Sequence, residues 1–285
     1  VRMSLRQTLA TVASAGAVLA LAAAPAADAA AAPQWAPAAT AAIHPGTQMF
    51  TAGAQCTANF VYSDGVSTYV GYAAHCAGTG AATDTDGCST QSLPLGTPVT
   101  FNKGASLVSE GTQVGTGTLA YSSWLAMQQA GETDANTCAY NDLALVKVDA
   151  PYVGAVNPSV PFWGGPLAPT TAGTTLGESI YSYGNSLLRG GIELLSPKRG
   201  ASLGDDGNGW SHTVYTVTPG IPGDSGSGFM DATGHALGVL STVAIAPLAG
   251  SNGVGDLAKE LAYANSHGMS GVALVPGTEA FAPII

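Results

Sequence analysis

The chain has 285 residues, a formal net charge of −10, and 9% charged against 46% hydrophobic residues. That hydrophobic share supplies a packed core and argues against a disordered chain. Its eight basic residues form no patch, which argues against nucleic acid as a partner.

In chain order, Arg2 and Arg6 precede a small, apolar run from Leu9 to Leu21, and Ala27-Asp28-Ala29 follows as a cleavage pattern. Residues 1–29 read as a secretory signal peptide, which makes the expected product secreted and extracellular. The run is short for a membrane span and no stop-transfer cluster follows, so stable membrane anchoring is not expected. Residues 30–50 begin Ala/Pro-rich and are expected to be a flexible N-terminal segment. Asn59–Tyr62 and Tyr69–Ala73 read as a hairpin across Ser63-Asp64-Gly65. Further strands are expected at Leu93–Phe101, Gln113–Tyr121 and Leu143–Val148, completing a first β unit over 51–150. A turn of helix is expected around Trp124–Gln128.

Five prolines and three glycines between Pro151 and Pro169 mark residues 151–174 as a linker. Strands are then expected at Thr175–Tyr183, Gly190–Leu195, Val214–Thr218, Gly226–Met230 and Ala236–Val243. A helix is expected over Asp256–Gly268, with Asp256 as N-cap and Leu257, Leu261 and Ala264 on one face. It closes a second unit over 175–268, and 269–285 is a tail without a readable signal. The cysteines are Cys56, Cys76, Cys88 and Cys138. An even count behind a signal peptide reads as two disulfides, with three connectivities open. There is no C-x-x-C pair, so no metal site is expected.

Three segments carry chemistry. Pro222-Gly223-Asp224-Ser225-Gly226-Ser227-Gly228 offers a serine on a glycine-rich turn. Gly223 and Ser225 there supply N–H groups to an oxygen that becomes charged. Gly71-Tyr72-Ala73-Ala74-His75-Cys76 ends an apolar strand with a histidine whose position a neighbouring cysteine can fix. Asn141-Asp142-Leu143-Ala144-Leu145 leads one carboxylate into a buried strand, where an imidazole N–H would satisfy it. The order His75, Asp142, Ser225 differs from that of α/β-hydrolases, which place serine first, and from the subtilisin order, which places Asp before His.

With these segments the chain resembles the chymotrypsin/trypsin superfamily of serine peptidases, in particular its secreted bacterial trypsin-like members. The resemblance rests on Ala73-Ala74-His75-Cys76, Asn141-Asp142-Leu143-Ala144-Leu145, Gly223-Asp224-Ser225-Gly226-Ser227 and Gly238-Val239-Leu240-Ser241. It implies two packed six-stranded antiparallel β-barrels with a C-terminal helix. His75, Asp142 and Ser225 would be the catalytic triad, and Gly223 and Ser225 the oxyanion-hole donors. It also implies a Cys56–Cys76 disulfide, with Cys88 and Cys138 as the remaining pair. Ser241 would lie in the substrate-pairing strand and help accommodate the buried Asp142. Pro219 and Gly220 would approach the base of the primary pocket, and Thr242 and Val243 its wall. With no acid at that base the pocket is expected to be neutral; Asp205 and Asp206 are the acids that could alter this. The expected partner is a protein or peptide substrate, without a cofactor, and the expected state is a monomer. An exported esterase or acyl hydrolase using the same triad, or an inactive protease-like binding protein, are the rival readings.

Overall fold

The computed structural model describes residues 34–81, 84–243 and 248–283. The expected signal peptide lies outside the described residues. Among them, no helix is long and apolar enough to cross a membrane.

The first half forms strands β1 (Gln48–Thr51), β2 (Ala54–Thr57), β3 (Val61–Ser63), β4 (Thr68–Ala73), β5 (Pro98–Lys103), β6 (Thr112–Ser122) and β7 (Leu143–Val148). Helices α1 (Ser123–Ala130) and α2 (Ala135–Tyr140) fill the β6–β7 connection. The second half contributes β8 (Ser179–Tyr183), β9 (Pro197–Asp206), β10 (Ser211–Thr216), β11 (Gly228–Met230), β12 (Ala236–Val243) and β13 (Asn252–Asp256). Helix α3 (Leu257–Ser266) and a short strand β14 (Ala273–Leu274) end the chain's regular structure.

Local chemistry accounts for the elements that position the site. The β3–β4 turn is closed by Asp64, whose carboxylate accepts from the Val66 and Ser67 N–H groups and the Tyr69 hydroxyl. Gly65 supplies the positive φ of +87° that this bend requires. Apolar β4 is buried along its whole length, and in β7 only Lys147 is exposed. Their antiparallel register pairs Gly71 with Leu145 and Ala73 with Leu143. That register brings the residues after Ala73 level with those before Leu143.

The expectation of two six-stranded barrels is corrected. The second half is a closed six-stranded barrel in the order β10-β13-β12-β11-β8-β9, but the first is an open, eight-stranded sheet, β14-β3-β4-β7-β6-β5-β1-β2. Closure would require β2 to reach the outer edge of β3. The C-terminal tail holds that edge instead: Ala273 and Leu274 pair with Ser63 and Tyr62, and the Val275 N–H donates to Val61 O. At the other end of the sheet, the Thr57 N–H of β2 donates across to Ser225 O, and Cys56 is bonded to Cys76. A disulfide and a contact with the serine loop thus stand where a strand pairing would close the cylinder.

Other differences have local causes. The expected strand at Gly190–Leu195 is instead a pair of short 3-10 turns around Gly190 and Gly191, both at positive φ. Ile43, in the segment expected to be flexible, is fully buried and bonded through its N–H to Ala155 O. The helix follows its pattern: Asp256 accepts from the Lys259 N–H at 2.8 Å, and Leu257, Leu261 and Ala264 are buried.

Candidate active site

His75 lies in a 3-10 turn, Ala74–Ala77, directly after β4, and Asp142 immediately precedes β7. The β4–β7 register draws them together, and the Ala74 N–H donates to Asp142 O at 2.8 Å. Asp142 Oδ1 accepts from the His75 backbone N–H at 2.8 Å, and Oδ2 lies 2.6 Å from His75 Nδ1. The carboxylate is only 4% exposed, whereas the imidazole is 27% exposed and can meet a solute. Burial opposes the imidazolium, but the Asp142 charge and hydrogen bond outweigh it, leaving the His75 pKa above its ordinary 6.5. The Ser241 hydroxyl of β12 donates to Asp142 Oδ2 at 2.6 Å, joining the two halves of the chain at this carboxylate.

Ser225 lies on the turn before β11 and lines one cleft with His75, Asp142, Gly223 and Ser241. The cleft measures about 660 Å³. Gly223 and Gly226 on either side both have positive φ, and the space a Cβ would need at Gly226 is occupied by Ala73 and Thr57 backbone. Among the described residues, neither the Gly223 nor the Ser225 N–H has a hydrogen-bond acceptor. Two free donors beside a hydroxyl, with an imidazole in the same cleft, suit stabilisation of an anionic oxygen.

The other expected site residues divide. Thr242 and Val243 line the cleft along with Ile221, Pro222 and Leu240. Pro219 and Gly220 do not line it. The Pro219 carbonyl accepts from Lys198 at 3.3 Å, and the Gly220 N–H donates to Asn252 Oδ1. Asp205 is engaged elsewhere, with His212 Nδ1 at 2.7 Å and with Thr174. Cys56 is bonded to Cys76 and Cys88 to Cys138, so no thiolate remains for a metal.

Arg189, Lys198, Ser186 and Glu260 escaped the sequence reading. Asp224 is fully buried between Arg189 at 2.5 Å and Lys198 at 2.9 Å, so its charge is met by two side chains of this chain. Burial holds the Lys198 ammonium below its ordinary pKa; Asp224 opposes this and Arg189 adds to it. Ser186 Oγ donates to Pro222 O at 2.5 Å. Behind Asp142, fully buried Glu260 accepts the Asp142 N–H at 2.9 Å. Burial drives its pKa well above the carboxylate range, opposed by that N–H and assisted by the charges of Asp142 and Asp256. A signal for Glu260 existed, because it shares the helical stripe of Leu257, Leu261 and Ala264.

No protein-family model matches the chain, and no curated protein matches it. Solved structures similar to it include Thermobifida fusca protease A, at 16% identity over 82% of this chain and 99% of that one, with a TM-score of 0.48. The active form of the Rv3671c protease from M. tuberculosis shares 16% identity over 86% of each chain, again with a TM-score of 0.48. Nocardiopsis protease is 16% identical over 81% and 98% of the two chains, with a TM-score of 0.47. Identities and superpositions at this level do not assign an activity, which rests here on the chain's own residues.

Proposed function

We propose that this chain is a secreted serine endopeptidase of the chymotrypsin-like superfamily, working through His75, Asp142 and Ser225. The observation that carries the proposal is the cleft in which an Asp-bound imidazole, a serine on a tight turn and two N–H groups without an acceptor among the described residues line one space. His75 takes the Ser225 proton as the hydroxyl oxygen attacks a peptide carbonyl. Asp142 holds the ring with Nε2 toward the cleft and favours the imidazolium. The Gly223 and Ser225 N–H groups receive the oxyanion. The tetrahedral adduct collapses as His75 returns the proton to the leaving amine. Water then releases the acyl group by the same base, regenerating Ser225.

Residues 1–29 are proposed to be the signal removed on export, 51–150 the unit carrying His75 and Asp142, and 175–268 the unit carrying Ser225. Leu240, Thr242 and Val243 favour a small or apolar side chain in the primary pocket. Reaction of the folded protein with a fluorophosphonate, mapped by peptide mass, tests the proposal. A single adduct on Ser225, absent from Ser225→Ala, is expected; no adduct overturns it. Cleavage of a peptide library by the labelled-competent protein separates peptidase from esterase activity and reports the pocket preference.

A further inference from the structure

The trans-planar geometry of a peptide makes its N–H and C=O point in opposite directions. Each proposed oxyanion donor is therefore aimed by whatever holds the carbonyl of its own peptide unit. For the Ser225 N–H, that carbonyl is Asp224 O, which accepts from the Ser227 N–H at 3.0 Å within the turn. For the Gly223 N–H it is Pro222 O, and its partner is the Ser186 hydroxyl at 2.5 Å, from a segment 36 residues earlier. Gly223 has φ +91°, a region where glycine lacks the steric restraint that keeps other residues in one orientation, so its conformation needs an outside constraint.

We infer that Ser186 is a positioning residue that turns the Pro222–Gly223 peptide so that the Gly223 N–H faces the cleft. Ser186 is fully buried, and both capacities of its hydroxyl are in use: Oγ donates to Pro222 O and accepts from the Leu188 N–H at 3.1 Å. Its backbone is fixed as well, because the Ser186 N–H donates to Asp224 Oδ1 at 3.0 Å. The same turn ends at Arg189, which binds the other oxygen of Asp224. Gln55 completes the restraint from the first sheet: its Oε1 accepts the Leu187 N–H and its Nε2 donates to Gly223 O. The turn over residues 186–189 is thus tied to both sides of Gly223, and among the described residues Ser186 alone reaches the carbonyl that sets this N–H.

This inference rests on the proposed peptidase reading, and its test separates the two. Wild type, Ser186→Ala and Ser186→Thr are titrated with a fluorophosphonate for the fraction of labelled Ser225 and the rate constant of labelling, and assayed for kcat and KM on a peptide substrate. Loss of one oxyanion donor costs about 10²–10³-fold in kcat, and a peptide left free to turn is expected to lose roughly 10–100-fold. The expected result is that loss in kcat and in labelling rate for Ser186→Ala, with KM within about twofold and full labelling at completion. Ser186→Thr, which keeps the hydroxyl, restores most of the rate. A Ser186→Ala protein that reacts at the wild-type rate overturns the inference. So does one that loses labelled fraction while the labelled molecules react normally, since that marks a purely structural role. Ser186→Cys keeps the volume with only a weak donor and carries the same test where the alanine variant fails to fold. Wild-type protein that is folded yet unlabelled at Ser225 overturns the peptidase reading itself, and the inference falls with it.

Discussion

Asp224 gives a quantitative test of how the serine turn is held. One buried carboxylate faces two cations, Arg189 with a side chain 9% exposed and Lys198 with one fully buried. The three positions are therefore not equivalent. Removing one partner of a buried ion pair costs about 3–5 kcal/mol, because the other charge is left uncompensated. Asp224→Asn strands two cations at once, so its expected loss lies at the top of that range, about 4–5 kcal/mol. Lys198→Met removes the surplus cation and leaves Asp224 bound to Arg189 and to the N–H groups of Ser186 and Ile221. Its expected cost is about 1 kcal/mol or less, since an apolar replacement of similar volume avoids burying an ammonium. In a chain of this length each kcal/mol moves Tm by about 2–4 °C. Thermal melts at pH 7 should thus fall by roughly 8–20 °C for Asp224→Asn and about 4 °C or less for Lys198→Met. Equal losses in the two variants would refute the reasoning, because they would mean that the cations do not share one anion.

Ser225→Ala is expected to lose about 3–4 decades or more of turnover with an unchanged melting curve; wild-type turnover in that variant would exclude Ser225 as nucleophile. The base must be neutral, so kcat/KM is expected to fall as pH drops through a His75 pKa above 6.5, and Asp142→Asn should move this limb to lower pH. A wild-type limb centred below 6.5 would contradict that assignment. Ser241→Ala removes a donor from a buried carboxylate and should cost about 1.5–3 kcal/mol, read from denaturant unfolding. Glu260 has a folded-state pKa raised above its unfolded value, so its favourable contribution is complete at low pH and is lost as pH rises towards that raised pKa. Relative to wild type, Glu260→Gln should therefore gain stability as pH rises above the ordinary carboxyl value of 4.5; a Tm difference that stays flat with pH would show that the carboxyl does not carry a raised pKa.

Legibility in the sequence followed the strength of the local pattern. Leu143–Val148 and Ala236–Val243 are mostly apolar, broken only by Lys147 and by Ser241 and Thr242, and their ends agree with β7 and β12. By contrast, Asn252-Gly-Val-Gly-Asp256 hid β13, since a strand with alternate glycines lacks the side chains that mark one. Both glycines are dictated from outside the strand: a Cβ at Gly253 would meet Thr242 Oγ1, and one at Gly255 would meet Glu260. Strand β14, only two residues long, depends on the free edge of β3 and has no periodicity to detect. The cleft residues were named because histidine, aspartate and serine each sat in a chemically suggestive segment. Their supports, Ser186, Arg189 and Lys198, were not, because each acts through a contact with a segment more than 20 residues away.

Those supports also bear on how the serine turn assembles. A carboxylate has about four acceptor positions. Asp224 receives four donors from different residues: the N–H groups of Ser186 and Ile221, the Arg189 guanidinium and the Lys198 ammonium. An α-ammonium created by cleavage would meet a carboxylate already paired with two cations. Ile43, in the N-terminal segment Ile43-His44-Pro45-Gly46, is occupied as well. It is fully buried, its N–H donates to Ala155 O, and its carbonyl accepts from the Asn157 N–H at 2.9 Å. Lys198 further ties Asp224 to the segment before the serine, since it donates to Thr218 O at 3.1 Å and to Pro219 O at 3.3 Å. On the proposed reading, the internal charges of residues 186–224 therefore hold the turn that carries Ser225 and its oxyanion donors.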